Sequence, residues 1–284
     1  MKPFGLIPAL AFGVASTMSY NRWKQIKKFL CVYNLKESDL HADGPMKGRV
    51  KDKLAKVRPL VNLLQRNFVA FWKPGIVWAI DESIVPFRGR WCSFKVYMKD
   101  KPHKFGMKIW MLNDAVRNYC YKFKVYLGAG DVFPGEDMEQ MRGNWSIGER
   151  CILYFARYVQ KGSYLFTDRF FTTPKAAYYC FKRWGVYLTG TVMTNKKLIC
   201  RSILYKKAKK YARGFFTFAV DAAKHVIMVC WMDRTPVLML STMLGANLAQ
   251  GVKRLTHLVG MFCIWHTFWL PLLYLSLLFV SFCR

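Results

Sequence analysis

Asp81-Glu82-Ser83-Ile84-Val85-Pro86-Phe87-Arg88-Gly89-Arg90, running on through Tyr97-Met98-Lys99-Asp100-Lys101-Pro102-His103-Lys104-Phe105-Gly106-Met107-Lys108, sets an acidic pair inside a β-rich run, Val77–Val85, and follows it at once with basic residues. A strand held in a sheet fixes where its carboxylates point, and hard divalent cations take oxygen ligands, so the pair suits such a cation. Arg88, Arg90, Lys101, Lys104 and Lys108 are candidates for contact with phosphate.

Working downstream, Lys104–Leu112 and Tyr119–Leu127 read as two more strands, separated by Asn113-Asp114 and closed by Gly128-Ala129-Gly130, which predicts an antiparallel meander. Ser146–Gln160 sets Ile147, Cys151, Ile152, Phe155 and Val159 on one helical face. Ser163–Thr167 is a short apolar strand ending directly in Asp168; Pro174–Trp184 is a helix stopped by Gly185, and Val186–Val192 a further strand. The order is three strands, helix, strand, helix, strand, with an acid on the first strand and another at the end of the fourth. Ribonuclease-H-like nucleases and integrases use that order, so the expected class is α/β: a ribonuclease-H-like mixed sheet with flanking helices. In such folds strand-borne carboxylates bind divalent cations for phosphodiester cleavage or strand transfer.

Upstream, Ser19–Tyr33 reads as a basic amphipathic helix, with Trp23, Ile26, Phe29 and Leu30 on one side and Arg22, Lys24, Lys27 and Lys28 on the other. Residues 36–49 make a loop, and Lys51–Phe68 a second helix. Residues 1–18 have the outline of a secretory signal, but the prolines and the basic helix behind them favour ordinary structure.

Composition narrows the partner. Against 16 Asp+Glu stand 45 Lys+Arg, a formal net charge of +29 that points to a polyanion. Aromatic content of 17% interleaved with those cations suits nucleic acid. Nine cysteines without a Cys-x-x-Cys pair provide neither a zinc site nor a disulfide framework, and fit a reducing compartment.

Met18-Ser19-Tyr20-Asn21-Arg22-Trp23, Asp52-Lys53-Leu54-Ala55-Lys56-Val57-Arg58-Pro59-Leu60, the Asp81–Arg90 and Lys101–Lys108 stretches, Asp168-Arg169-Phe170-Phe171-Thr172-Thr173 and Gly190-Thr191-Val192-Met193-Thr194-Asn195-Lys196 fall in one order, and together they resemble the piggyBac family of transposases. The resemblance covers about residues 18–245. It implies a ribonuclease-H-like DNA transposase with three catalytic Asp residues, acting with Mg²⁺ on double-stranded DNA through hairpin transposon ends at a TTAA target, in the nucleus; a homodimer is a separate candidate assembly. Asp81 matches the first catalytic and metal-binding Asp, and Asp168 the second. Arg169 departs from the family's usual residue and sets a cation beside a metal ligand. The third Asp follows a Gly-Val-Asp motif that does not occur in this chain; Asp221 and Asp233 are the only acids after Asp168, and Asp233 matches a structural strand. A two-metal clamp needs more ligands than two Asp residues supply. The expectation is a transposase-derived DNA-binding protein defective in cleavage and strand transfer; a domesticated DNA-binding or interaction protein without catalysis is the alternative. Lys196, Lys197, Lys206, Lys207, Lys209 and Lys210 match a DNA-contacting insertion of the family.

The expected organisation is a helical basic region at 1–75, the partial catalytic core at 76–192, a basic insertion-like segment at 193–245 and an apolar tail at 246–284. Leu258–Cys283 contains no Lys, Arg, Asp or Glu, so an apolar C-terminal helix is expected there, with a membrane anchor as a further alternative. The family has no such segment, and loss of resemblance near 245 is what a truncated element or a shifted reading frame would produce.

Overall fold

The structure, a computed structural model, describes residues 17–29, 31–42, 47–48, 51–87, 89, 92–99, 103–128, 131–134, 145–204, 211–221 and 225–243. These fall into two compact units. One gathers the described residues up to Leu64 with those of 85–107; the other gathers 65–84 and the described residues from Lys108 onward.

In the first unit, α1 spans Tyr20–Phe29, shorter than the predicted Ser19–Tyr33. Phe29 lies 77% exposed and Trp23 36%, so the predicted apolar face is not wholly buried. The second predicted helix begins later than expected. Ala55–Val57 forms a 3₁₀ turn, and α2 runs from Arg58 to Phe71, crossing into the second unit. Pro59 explains the offset: its ring fixes φ and it has no N–H to give, which suits a helix's first turn. Asp52 precedes that start and grips the Arg58 guanidinium at 2.6 and 2.7 Å.

The strands are β1 (Val77–Pro86), β2 (Lys95–Tyr97), β3 (Phe105–Asp114), β4 (Tyr119–Val125), β5 (Tyr164–Thr167), β6 (Tyr187–Thr191), β7 (Phe216–Val220), β8 (Ile227–Met232) and β9 (Pro236–Ser241). Helices α3 (Ile147–Ala156) and α4 (Pro174–Trp184) separate β4, β5 and β6. The sheet runs β2-β3-β1-β5-β6-β9-β8-β7, with β4 on β3. β1, β5 and β6 are parallel neighbours, while β2 and β4 pair antiparallel with β3. β9 pairs antiparallel with β6, β8 with β9 and β7 with β8. The α/β class and mixed sheet are as predicted. β2 was not predicted, and residues 193–245, read as an insertion-like segment, contribute β7, β8 and β9 to the same sheet. The C-terminal apolar helix and the membrane alternative rest on 258–283, outside the described residues. Among the described residues no helix is long and apolar enough to cross a membrane.

Trp78 and Ile80 of β1, Trp110 and Leu112 of β3, Leu165 of β5 and Leu188 of β6 pack with Ile152 and Phe155 of α3 and Ala177 and Cys180 of α4. Even positions of β1 and odd positions of β5 thus face the helices, and alternate residues face the other way. β3 closes on Asp114, whose buried carboxylate accepts from Trp72 Nε1 and Gly75 N at 3.1 Å, Val116 N at 3.0 Å and Arg117 N at 3.1 Å.

Both helices after β4 start on designed-in caps. Ser146 and Glu149 form a capping box on α3. Thr173 caps α4, accepting from Ala176 N at 3.2 Å, and its hydroxyl donates to Glu149 Oε1 at 2.6 Å. Pro174 follows in the first turn, and Gly185 ends α4 with φ +64°, where a side chain would be strained. Thr173→Ala removes a cap and a buried hydrogen bond together, so the expected loss is about 2 kcal/mol. Urea denaturation followed by Trp fluorescence would measure it, with Thr173→Ser near wild type.

Candidate functional site

Val77 pairs with Tyr164 and Ile80 with Thr167 in the parallel β1–β5 register. Asp81 is the next residue of β1, and Asp168 the first residue after β5. Strand alternation sends both carboxylates to the sheet face away from α3 and α4. β6 continues the row: Thr167 pairs with Gly190, so Thr191 follows opposite Asp168, and the Thr191 hydroxyl donates to Asp168 Oδ1 at 3.3 Å. The two acids predicted from sequence thus follow the last paired residues of neighbouring parallel strands. Thr191 was not predicted, although it lies within the quoted Gly190–Lys196 block.

Each carboxylate is also anchored to backbone. Asp81 Oδ1 accepts the Glu82 N–H at 2.7 Å, and Asp168 Oδ1 accepts the Arg169 N–H at 2.5 Å. The turn after Asp168 is tightly made: its carbonyl accepts from Phe171 N and Thr172 N, each at 3.0 Å, and from Thr172 Oγ1 at 2.9 Å. Thr172 then pairs its hydroxyl with that of Thr167 at 2.7 Å, fully buried. That pair fits because position 190 has no side chain. A Cβ on Gly190 would fall far inside contact with the Thr167 carbonyl oxygen and Thr172 Oγ1. Phe171 is buried in the core, and Thr173 begins α4. The Asp168–Thr173 motif is thus one turn that fixes an acid at a strand end.

Glu82 points to the helix face and forms an ion pair with Lys108. The Lys108 ammonium also lies 4.6 Å from the Phe170 ring centroid and 5.9 Å from that of Trp110. With its side chain 12% exposed, its charge is directed inward at Glu82. Of the other predicted phosphate contacts, Lys104 and Lys197 are exposed and Lys196 is half-buried in the turn after β6. Arg88, Arg90, Lys101, Lys206, Lys207, Lys209 and Lys210 lie outside the described residues.

The two later acids serve turns. Asp221 accepts from His225 N at 2.7 Å and Val226 N at 2.6 Å in the β7–β8 hairpin; Asp233, between β8 and β9, pairs with Arg213 at 2.6 Å. Among the described residues no cluster of three or more His, Cys, Asp or Glu is placed to hold a metal ion. Asp81 within β1, Asp168 just past β5 and Thr191 at the end of β6 make an oxygen-only set of two carboxylates and a hydroxyl. It fits one Mg²⁺, which commonly takes one or two protein carboxylates and keeps waters or phosphate oxygens for the rest. A two-metal clamp it does not fit.

A parallel three-strand centre, with one acid inside β1 and another just past the end of β5, is extended by antiparallel strands and backed by helices. A family model described as Transposase IS4 matches residues 10–257. The chain belongs to that family and, within it, to the piggyBac transposases and the proteins derived from them. It is 28% identical over 198 residues to the human PiggyBac transposable element-derived protein 2, covering 68% of this chain and 32% of that protein. To the human PiggyBac transposable element-derived protein 3 it is 28% identical over 216 residues, covering 74% and 34%. The chain therefore spans about a third of the length of these relatives. It shares its fold, with a TM-score of 0.67 at 23% identity, with a piggyBac transposase solved by cryo-EM as a synaptic complex with hairpin DNA; the match covers 85% of this chain and 47% of that one.

Proposed function

We propose that this chain is a piggyBac transposase-derived, double-stranded-DNA-binding protein of the nucleus, with a ribonuclease-H-like core that binds one Mg²⁺ at Asp81 and Asp168 and does not cleave DNA by itself. The observation that supports the reading is the parallel β1–β5 register, which runs up to Ile80 and Thr167, the residues just before the two acids. Mg²⁺ bound there would polarise a phosphate oxygen. The chain's own groups do the rest. Thr191 orients Asp168 by its hydrogen bond. The turn that follows Asp168 holds the acid at the strand end. Lys104, Lys196 and Lys197, with the net charge of +29, supply sequence-independent attraction to phosphate.

The acid pair is tested with Mn²⁺, followed by electron paramagnetic resonance. Asp81→Ala is expected to weaken binding by about tenfold at least. Equal affinity in wild type and variant would overturn the assignment. For DNA, labelled duplex is titrated at two salt concentrations, and affinity should fall steeply as salt rises. Cleavage of transposon-end DNA with Mn²⁺, abolished by Asp81→Ala, would overturn the catalytic half of the reading. DNA binding with no Mn²⁺ binding would instead favour a DNA-binding protein without a metal site.

A further inference from the structure

On the helix side of the sheet, directly behind the acid pair, Lys108 touches both elements that carry the acids. Its ion pair is with Glu82, the residue next to Asp81 on β1. Its ring contact at 4.6 Å is with Phe170, two residues after Asp168 in the turn that positions that acid. Phe170 in turn stands edge-on to the buried Phe171, ring centroids 5.0 Å apart. Glu82 and Lys108 are only 18% and 12% exposed, so each charge is held largely out of water and is offset by the other. A cation lying over an aromatic face is attracted by the ring quadrupole, and more strongly when water is excluded.

We propose that Lys108 is a positioning residue: with Glu82 it clamps the Asp168 turn against β1 and so sets the spacing of the two carboxylates from behind. This deepens the one-cation reading and rests on it. In this reading Lys108, paired with Glu82, acts on the acids only through that clamp.

The test uses the full chain with two independent readouts. Amide hydrogen exchange at Phe171 and Thr172, whose N–H groups bond to the Asp168 carbonyl, reports the turn without any metal. Mn²⁺ affinity reports the acid pair. Lys108→Met should speed exchange at these two amides by about tenfold, leave β6 amides unchanged, and weaken Mn²⁺ binding by a similar factor. Lys108→Arg, which keeps charge and ring stacking, should restore both. The double variant Glu82→Gln with Lys108→Met leaves no unpaired buried charge; stability should recover, while turn exchange stays fast and Mn²⁺ affinity stays low. Recovery of all three in the double variant would make the pair merely structural and overturn the proposal, as would unchanged exchange in Lys108→Met. Fast exchange in Lys108→Met together with no Mn²⁺ binding by wild type would refute the metal reading and, with it, the positioning role.

Discussion

Asp114→Ala is expected to lose about 4 kcal/mol of stability, measured by urea denaturation at neutral pH. The carboxylate is buried and accepts from four donors, Trp72 Nε1 and three backbone N–H groups, so its removal strands several of them at about 1–3 kcal/mol each before relaxation. Burial by itself pushes the Asp114 carboxyl up, but the bonds from Gly75, Trp72, Arg117 and Val116 outweigh it and hold the group below its ordinary value of 3.8. The sign follows from linkage. A depressed folded value means stability that is complete above the unfolded value and is lost as pH falls through the folded one. Wild type should therefore weaken below about pH 4, whereas Asp114→Asn should show a flatter acid limb. An identical acid limb in the Asn variant would remove Asp114 as its source.

Gly190→Ala is the second large effect. The added methyl has no room: Thr167 O and Thr172 Oγ1 lie far inside contact, and Thr167 Oγ1 is 2.9 Å from the new Cβ. A rotamer change can move a hydroxyl, but the carbonyl is part of the β5–β6 ladder and cannot retreat without breaking it. The expected loss is about 3 kcal/mol. Combining it with Thr172→Ala should recover only part of that, because the backbone clash remains. Full rescue by Thr172→Ala would show that the hydroxyl alone is the obstacle.

The central strands and both flanking helices were legible because each has a strong local signal. β5 is a short apolar run cut off by an acid, and α4 carries Thr-Pro at its start and Gly at its stop. The acids themselves were legible as residues, but the parallel pairing of the strands that lead to them was not: local pattern cannot reveal the β1–β5 register. β7 to β9 were hidden for a different reason. Basic residues up to Arg213 dominate the local pattern, while the buried Ile227, Val229, Cys230 and Met232 of β8 lie beyond them. Lys108 is a phosphate-contact candidate by sequence, and only the fold brings Glu82, 26 residues upstream, beside it. Glu82 was passed over because its neighbour Asp81 carried the family motif.

The parallel register also sets a clock. Val77 must wait for Tyr164, 87 residues later in the chain, before β1 gains its central neighbour. At ribosomal speeds of about 5–20 residues per second, that is roughly 4 to 17 s during which Trp78 and Ile80 exist without the strand that will cover their flank. Non-local pairing of this kind is slow to form and prone to capture by other chains. Yield of folded protein should accordingly depend more on temperature and chaperone supply during synthesis than on the stability of the finished sheet.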